Sequence, residues 1–191
     1  MELVEKTIKS DLKFDGKIIK VKLDKIELPN GDTASREYVC HNGGAGVLPV
    51  SRDGKIALVK QFRYPYKEVI YEIPAGKIDL GESAIDAVKR ELFEEVGGKS
   101  NNIIDLGIIY PSPGYTNEKI YIYLAVNTDF GLQQLDYGEF LEVEFFDFDQ
   151  VLEMINKNII KDSKTIIAVL KADIILNKGK IYGIWKRKID F

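Results

Sequence analysis

Residues 76 to 98 read "GKIDLGESAIDAVKRELFEEVGG", and this stretch decides how the rest of the chain is read. Ser83, with Asp86 three residues on, marks a helix N-cap, and Gly97-Gly98 marks its end. Between them Ile85, Val88, Leu92 and Val96 fall on one stripe at helical spacing and are expected to face a core. At about 100° per residue, Glu91, Glu94 and Glu95 lie side by side along one flank of that stripe. Like charges three and four residues apart repel by a few tenths of a kcal/mol per pair, and this flank carries no lysine. Arg90 can reach Glu94 one turn away or brace a neighbouring loop. Ala84 and Ala87 are small, which leaves room above the carboxylates. Hard oxygen donors clustered beside a core suit Mg²⁺ or Mn²⁺, and a bound cation would offset the repulsion.

The bulk numbers set the frame. A chain of 191 residues suits one domain with at most a small appendage. At that length roughly 70% of the unfolded surface can be buried, so stability requires no disulfide or structural metal. The residues are 45% hydrophobic and 30% charged, with a net charge of −3, which gives no basic field for nucleic acid or a membrane surface. No run of about 18 apolar residues occurs, and "MELVEKTIKSDLKFDG" lacks the apolar centre of a signal peptide. The single cysteine, Cys40, rules out an internal disulfide. These features point to a cytoplasmic protein.

Moving outward from the helix, residues 17–28 alternate apolar and charged side chains as a half-buried strand does. "PNGD" (29–32) turns the chain into "TASREYVCH", giving an N-terminal hairpin subdomain over residues 1–42. Residues 45–50 and 55–62 flank "SRDG" as a second hairpin, and "EVIYEIP" (68–74) leads into the helix. "IIDLGIIYPSPG", "KIYIYLAVN" and "LEVEFFDF" are three further strands. Two helices follow, at 147–156 opening at Asp147 or Asp149, and at 163–177 ending near Gly179. Mixed strands and few helices read as an α+β or mixed α/β sandwich over residues 43–191.

The stretch from Gly76 to Gly98 resembles the box of the Nudix hydrolases: Gly76, five residues, Glu82, seven residues, then Arg90-Glu91-Leu92-Phe93-Glu94-Glu95-Val96-Gly97. Only Gly98 departs, standing where that family carries an aliphatic residue. The resemblance implies an αβα sandwich with a mixed sheet and a small antiparallel sheet before it. It also implies metal-dependent hydrolysis of a nucleoside diphosphate linked to another moiety. By match to the box, Glu91 and Glu95 are the main metal ligands, with Glu94 and the Ala75 carbonyl beside them. Glu82 and Arg90 would hold the loop–helix–loop in shape.

Outside the box, "YPSPGYTNEKIYIYLA" (110–125) and "GEFLEVEFFDFDQVLEMI" (138–155) resemble the ADP-ribose pyrophosphatase branch. That likeness implies a homodimer exchanging N-terminal strands, an ADP-sugar substrate, and AMP and ribose 5-phosphate as products. It makes Glu139 the base that activates water, with Glu142 in reserve, in a catalytic group completed by Glu94 and Arg90. It also makes Arg36, Arg63, Pro113, Gly114 and Tyr115 substrate contacts. Rival readings are another Nudix substrate (NADH, another nucleotide sugar or an oxidised nucleoside triphosphate) and a sensor that binds nucleotide sugar without turnover. Two other features carry no chemistry. Cys40 and His41 are adjacent, so in a strand they point to opposite faces and cannot act as a nucleophile–base pair. "HNGGAGV" lacks the lysine and spacing of a phosphate-binding loop.

Overall fold

A computed structural model describes residues 3–177. The expected end of the last helix near Gly179 lies outside the described residues. The chain divides into two compact units. One runs to Gly43 and takes in Tyr110–Lys119; the other comprises Gly44–Ile109 and the residues from Ile120 onward.

In the first unit, β1 (Lys6–Asp15), β2 (Lys20–Glu27) and β3 (Thr33–Cys40) form an antiparallel sheet in that order. The expected hairpin is β2–β3. β1 was absent from that expectation because its apolar residues alternate with lysines and none of them is buried. The loop 110–119 is tied to β3, Val39 N–H donating to the Tyr115 carbonyl at 2.8 Å and Asn117 N–H to the Val39 carbonyl at 3.1 Å.

The second unit holds seven strands. Its main path runs β10 (Leu141–Phe146), β5 (Ile56–Arg63), β4 (Gly44–Ser51), β9 (Ile120–Thr128), β8 (Asn102–Ile109). β6 (Glu68–Glu72) pairs with β5 and β7 (Ala75–Lys77) with β4. Only β4–β9 is parallel, so the sheet is mixed. Strand alternation divides the core in two. Val47, Val59, Tyr123 and Ala125 meet Val88, Leu92 and Val96 of α1 (Ala84–Val96). Leu48, Leu58, Ile122 and Leu124 face the other way, against Val151 of α2 (Phe148–Asn156) and Ala168, Val169 and Ala172 of α3 (Ser163–Asn177). Helices therefore cover both faces, giving an αβα sandwich. No helix among the described residues is long and apolar enough to cross a membrane.

α1 begins and ends as its sequence requires. Ser83 Oγ accepts from Asp86 N–H at 3.3 Å. Gly97 sits in the left-handed region (φ 63°) and its N–H reaches the Phe93 carbonyl at 2.9 Å. A Cβ on Gly97 would come within 2.4 Å of the Gly131 carbonyl oxygen, so only glycine fits there. α2 opens at Asp147, whose N–H donates to Gln150 Oε1 at 2.8 Å, the first of the two expected starts.

Candidate active site

The apolar stripe of α1 fixes the helix's rotation, and that rotation brings Glu91 and Glu95 to the margin of the core. Both are buried, at 7% and 5% exposed. The room expected above them is occupied. Ala75 of β7 donates its N–H to Glu95 Oε2 at 3.1 Å, and the Gly76 backbone lies against Glu91, where an added Cβ would stand 1.7 Å from Oε1. Gly76 is thus a residue that only close backbone approach explains.

Arg90 ties the box together. Its Nε donates to Glu82 Oε1 at 3.0 Å, while Nη2 donates to Glu82 Oε2 at 3.1 Å and to the Lys77 carbonyl at 3.0 Å. Nη1 donates to Glu91 Oε1 at 2.6 Å and Glu94 Oε2 at 3.1 Å. Both options open for this arginine are therefore taken, since it reaches Glu94 and braces the loop. Glu82 in turn accepts from Asp79 N–H at 3.0 Å. These bonds, led by Glu82, hold Arg90 charged far above neutrality.

Burial pushes the Glu91 carboxyl up, against the pull of Arg90. Glu95 is pushed up to about 8, first by burial and then by the negative charge of Glu91. Two buried carboxyls that resist ionisation next to one another form a donor set that a divalent cation suits, because its charge reverses both effects. Among the described residues, no three His, Cys, Asp or Glu side chains are gathered so as to hold a metal ion by themselves. Arg90 bonds Glu91 and Glu94 alike, so Glu91 and Glu95, with Glu94 and the Ala75 carbonyl beside them, are the donors that would take one.

Residues 131–140 approach α1 from its C-terminal end. Gln133 Nε2 donates to the Glu95 carbonyl at 2.6 Å, and Gln134 N–H to the Glu94 carbonyl at 2.8 Å. Sequence reasoning missed these glutamines, whose role is to satisfy carbonyls that a helix end leaves open. Beyond them Glu139 is exposed in a turn, its N–H bonded to the Asp136 carbonyl at 3.0 Å, and its negative charge is felt by both Glu91 and Glu95. Glu142 points instead to Lys60, at 3.5 Å.

Arg63 also belongs to this second unit, half-buried, with Nε bonded to Glu72 Oε2 at 2.5 Å. Arg36, Pro113, Gly114 and Tyr115 belong to the first. There Arg36 is bound to Glu5, Nε to Oε2 at 3.0 Å, and to the Ser35 carbonyl at 3.0 Å. Tyr115 is 60% exposed. Cys40 has no disulfide partner, and His41 Nδ1 accepts from Gly43 N–H at 3.1 Å.

The NUDIX domain profile matches residues 41–168, and that of the nucleoside diphosphate sugar hydrolase N-terminal domain matches residues 5–39. The chain belongs to the Nudix family. It is 39% identical to a methanol dehydrogenase activator of Bacillus methanolicus, over 86% of this chain and 90% of that one. It is 38% identical to an ADP-ribose pyrophosphatase of Bacillus subtilis (strain 168), over 87% of this chain and 91% of that one. A solved structure described as an ADP compounds hydrolase superposes with a TM-score of 0.82, covering 92% of this chain and 96% of its own. At 20% identity, that likeness speaks for the fold alone.

Proposed function

We propose that the chain hydrolyses the diphosphate bridge of ADP-ribose and related ADP-sugars, using Mg²⁺ or Mn²⁺, to give AMP and ribose 5-phosphate. The observation that carries this reading is the pair of buried carboxylates, Glu91 and Glu95, clamped between β7 and Arg90 and lacking enough charge compensation of their own. The relatives named ADP-ribose pyrophosphatase support the choice of substrate.

A divalent cation bound at Glu91, Glu95 and the Ala75 carbonyl would neutralise the diphosphate and acidify a water. The chain's own residues do the rest. Arg90 keeps Glu91 and Glu94 in place and ties them to Glu82 and the Lys77 carbonyl. Glu139 accepts the proton of the water that attacks one phosphorus, while the bridging oxygen leaves with the other phosphate. Two observations support it over Glu142: Glu139 follows the loop that Gln133 and Gln134 bind to the end of α1, and Glu142 is engaged by Lys60. Arg36, Arg63, Pro113, Gly114 and Tyr115 serve the substrate, Arg63 at a phosphate.

The working form is a cytoplasmic homodimer built partly from residues 1–40 by exchange of N-terminal strands. Three observations in the first unit support association. Ile8, Leu12 and Phe14 of β1 are exposed, Ile26 is the only buried apolar side chain of that unit among the described residues, and the buried Asp24 Oδ1 has no hydrogen-bond partner among them. Residues 1–42 act as the dimerisation subdomain and 43–191 as the hydrolase domain.

The deciding experiment is a turnover panel of ADP-ribose, NADH, GDP-mannose and oxidised nucleoside triphosphates, with Mg²⁺ and with chelator. ADP-ribose should give the highest kcat/KM, with AMP as a product, and chelator should abolish turnover. GDP-mannose belongs in the panel because a GDP-mannose pyrophosphatase of Yersinia enterocolitica is 30% identical over 79% of this chain. A clear preference for another compound would overturn the substrate assignment.

A further inference from the structure

One buried charge cluster in the second unit lies outside the box and its loop. Glu72, the last residue of β6, is 3% exposed. Its Oε2 accepts from Arg63 Nε at 2.5 Å, and its Oε1 is bound by Lys164 Nζ in the first turn of α3. Lys164, 9% exposed, also meets Asp162 Oδ1 at 3.0 Å. Asp162 Oδ2 accepts from Thr165 N–H at 2.9 Å and from Thr165 Oγ1 at 2.6 Å, capping α3. Thr165 Oγ1 closes the loop by accepting from Ile73 N–H at 2.8 Å, one residue past Glu72.

Buried ion pairs are costly, and apolar side chains of like volume often serve stability as well or better. This cluster has a geometric consequence that apolar residues could not supply. A carboxylate with both oxygens free grips a guanidinium in a two-pronged fork. Here Lys164 sits on Oε1 and its positive charge opposes a guanidinium N–H at the same oxygen, and Glu72 takes a single N–H from Arg63, from Nε. Nη1 and Nη2 of Arg63 have no hydrogen-bond partner among the described residues. Glu72 also stands three residues before Ala75, whose N–H donates to Glu95 Oε2 at 3.1 Å, so the Arg63–Glu72 pair adjoins the box.

We propose that Glu72 and Lys164 are positioning residues: Lys164 holds Oε1 of Glu72 and its charge repels a guanidinium contact there, so that Arg63 is held by Nε alone and offers both Nη groups to a diphosphate oxygen of the substrate. The inference rests on the diphosphatase reading above. Removing Lys164 frees Oε1, and Arg63 folds onto Glu72 with an Nη group spent.

Lys164→Met should raise KM roughly 10–100-fold, the scale of one or two charge-assisted hydrogen bonds, with a much smaller change in kcat. Lys164→Arg should restore most of the loss. In a double-mutant cycle, adding Lys164→Met to Arg63→Ala should cost almost nothing further, because the lysine acts only through the arginine. Additive losses, or a folded Lys164→Met protein with wild-type KM, would overturn the proposal. If Lys164→Met does not fold, Glu72→Gln, which keeps the side chain's volume, must show the same KM effect or the idea fails. Calorimetry with inorganic pyrophosphate reads the grip of Arg63 without turnover. Weaker pyrophosphate binding in Lys164→Met would therefore uphold this arrangement even if the wild-type enzyme hydrolysed no ADP-sugar.

Discussion

The two units of this chain handle burial in opposite ways. The first leaves apolar side chains outside: Leu3, Val4, Ile8, Leu12, Phe14 and Ile18 are each about half exposed or more, and among its described residues Ile26 is the only buried apolar side chain. The second takes charge inside: Glu72, Glu91, Glu95 and Lys164 are all at least nine-tenths buried, within a sandwich whose two cores are otherwise apolar. A three-stranded sheet without a covered face is marginal by itself, so exposed apolar strands there speak of surface still to be covered. Buried carboxylates are costly, and a stable sandwich tolerates them only where something compensates. Within the cluster around Glu72 the compensation is built in, because Arg63 and Lys164 balance Glu72 and Asp162. Around Glu95 it is incomplete, and the deficit is the mark of a site.

The sharpest way to break that contrast is Glu95→Gln. If the buried carboxylate exists to hold a cation, the variant should lose on the order of 10³-fold or more in kcat, several kcal/mol of transition-state stabilisation. It should also stay folded, and Mg²⁺ should raise the melting temperature of the wild type but not of the variant. A wild-type rate in Mg²⁺ would sink the metal assignment.

Glu139→Gln tests the exposed member of the same group. The expected loss is about 10²–10⁴-fold in kcat with little change in KM or metal dependence. Glu142→Gln, the control, should be milder. The reverse ranking, read from steady-state kinetics of the two variants, would move the base to Glu142.

For the first unit, Leu12→Lys with Phe14→Lys should shift the protein from dimer to monomer, as light scattering at micromolar concentration would register. A wild-type chain that is already monomeric at that concentration would remove the proposed role of residues 1–40.

The smallest effect is expected at the helix that carries the site. Ser83→Ala deletes the N-cap bond and should cost about 1 kcal/mol in chemical denaturation, leaving the box geometry and kcat nearly intact. A large loss of activity with little loss of stability would mean that Ser83 does more than cap.

Much of the molecule could be read along the chain. α1, its cap at Ser83 and its stop at Gly97 follow from local chemistry, and so do the strands whose alternation reports a half-buried face. The box was readable for the same reason: Glu82, Arg90, Glu91, Glu94 and Glu95 sit on one helix and the loop before it, so sequence spacing is also spatial spacing. The sequence by itself therefore determined the family, most of the elements (β1 and β7 excepted) and the carboxylates worth watching. Only tertiary structure decided what stands against them. That the Ala75-Gly76 backbone closes over Glu91 and Glu95, that Gln133 and Gln134 secure the loop leading to Glu139, and that Glu72 meets Lys164 are pairings between residues 15 to 92 positions apart. No local periodicity encodes such contacts. They arise when the sandwich brings β6, β7 and the start of α3 together, and there a glutamate's partners, more than its position in the chain, determine what it can do.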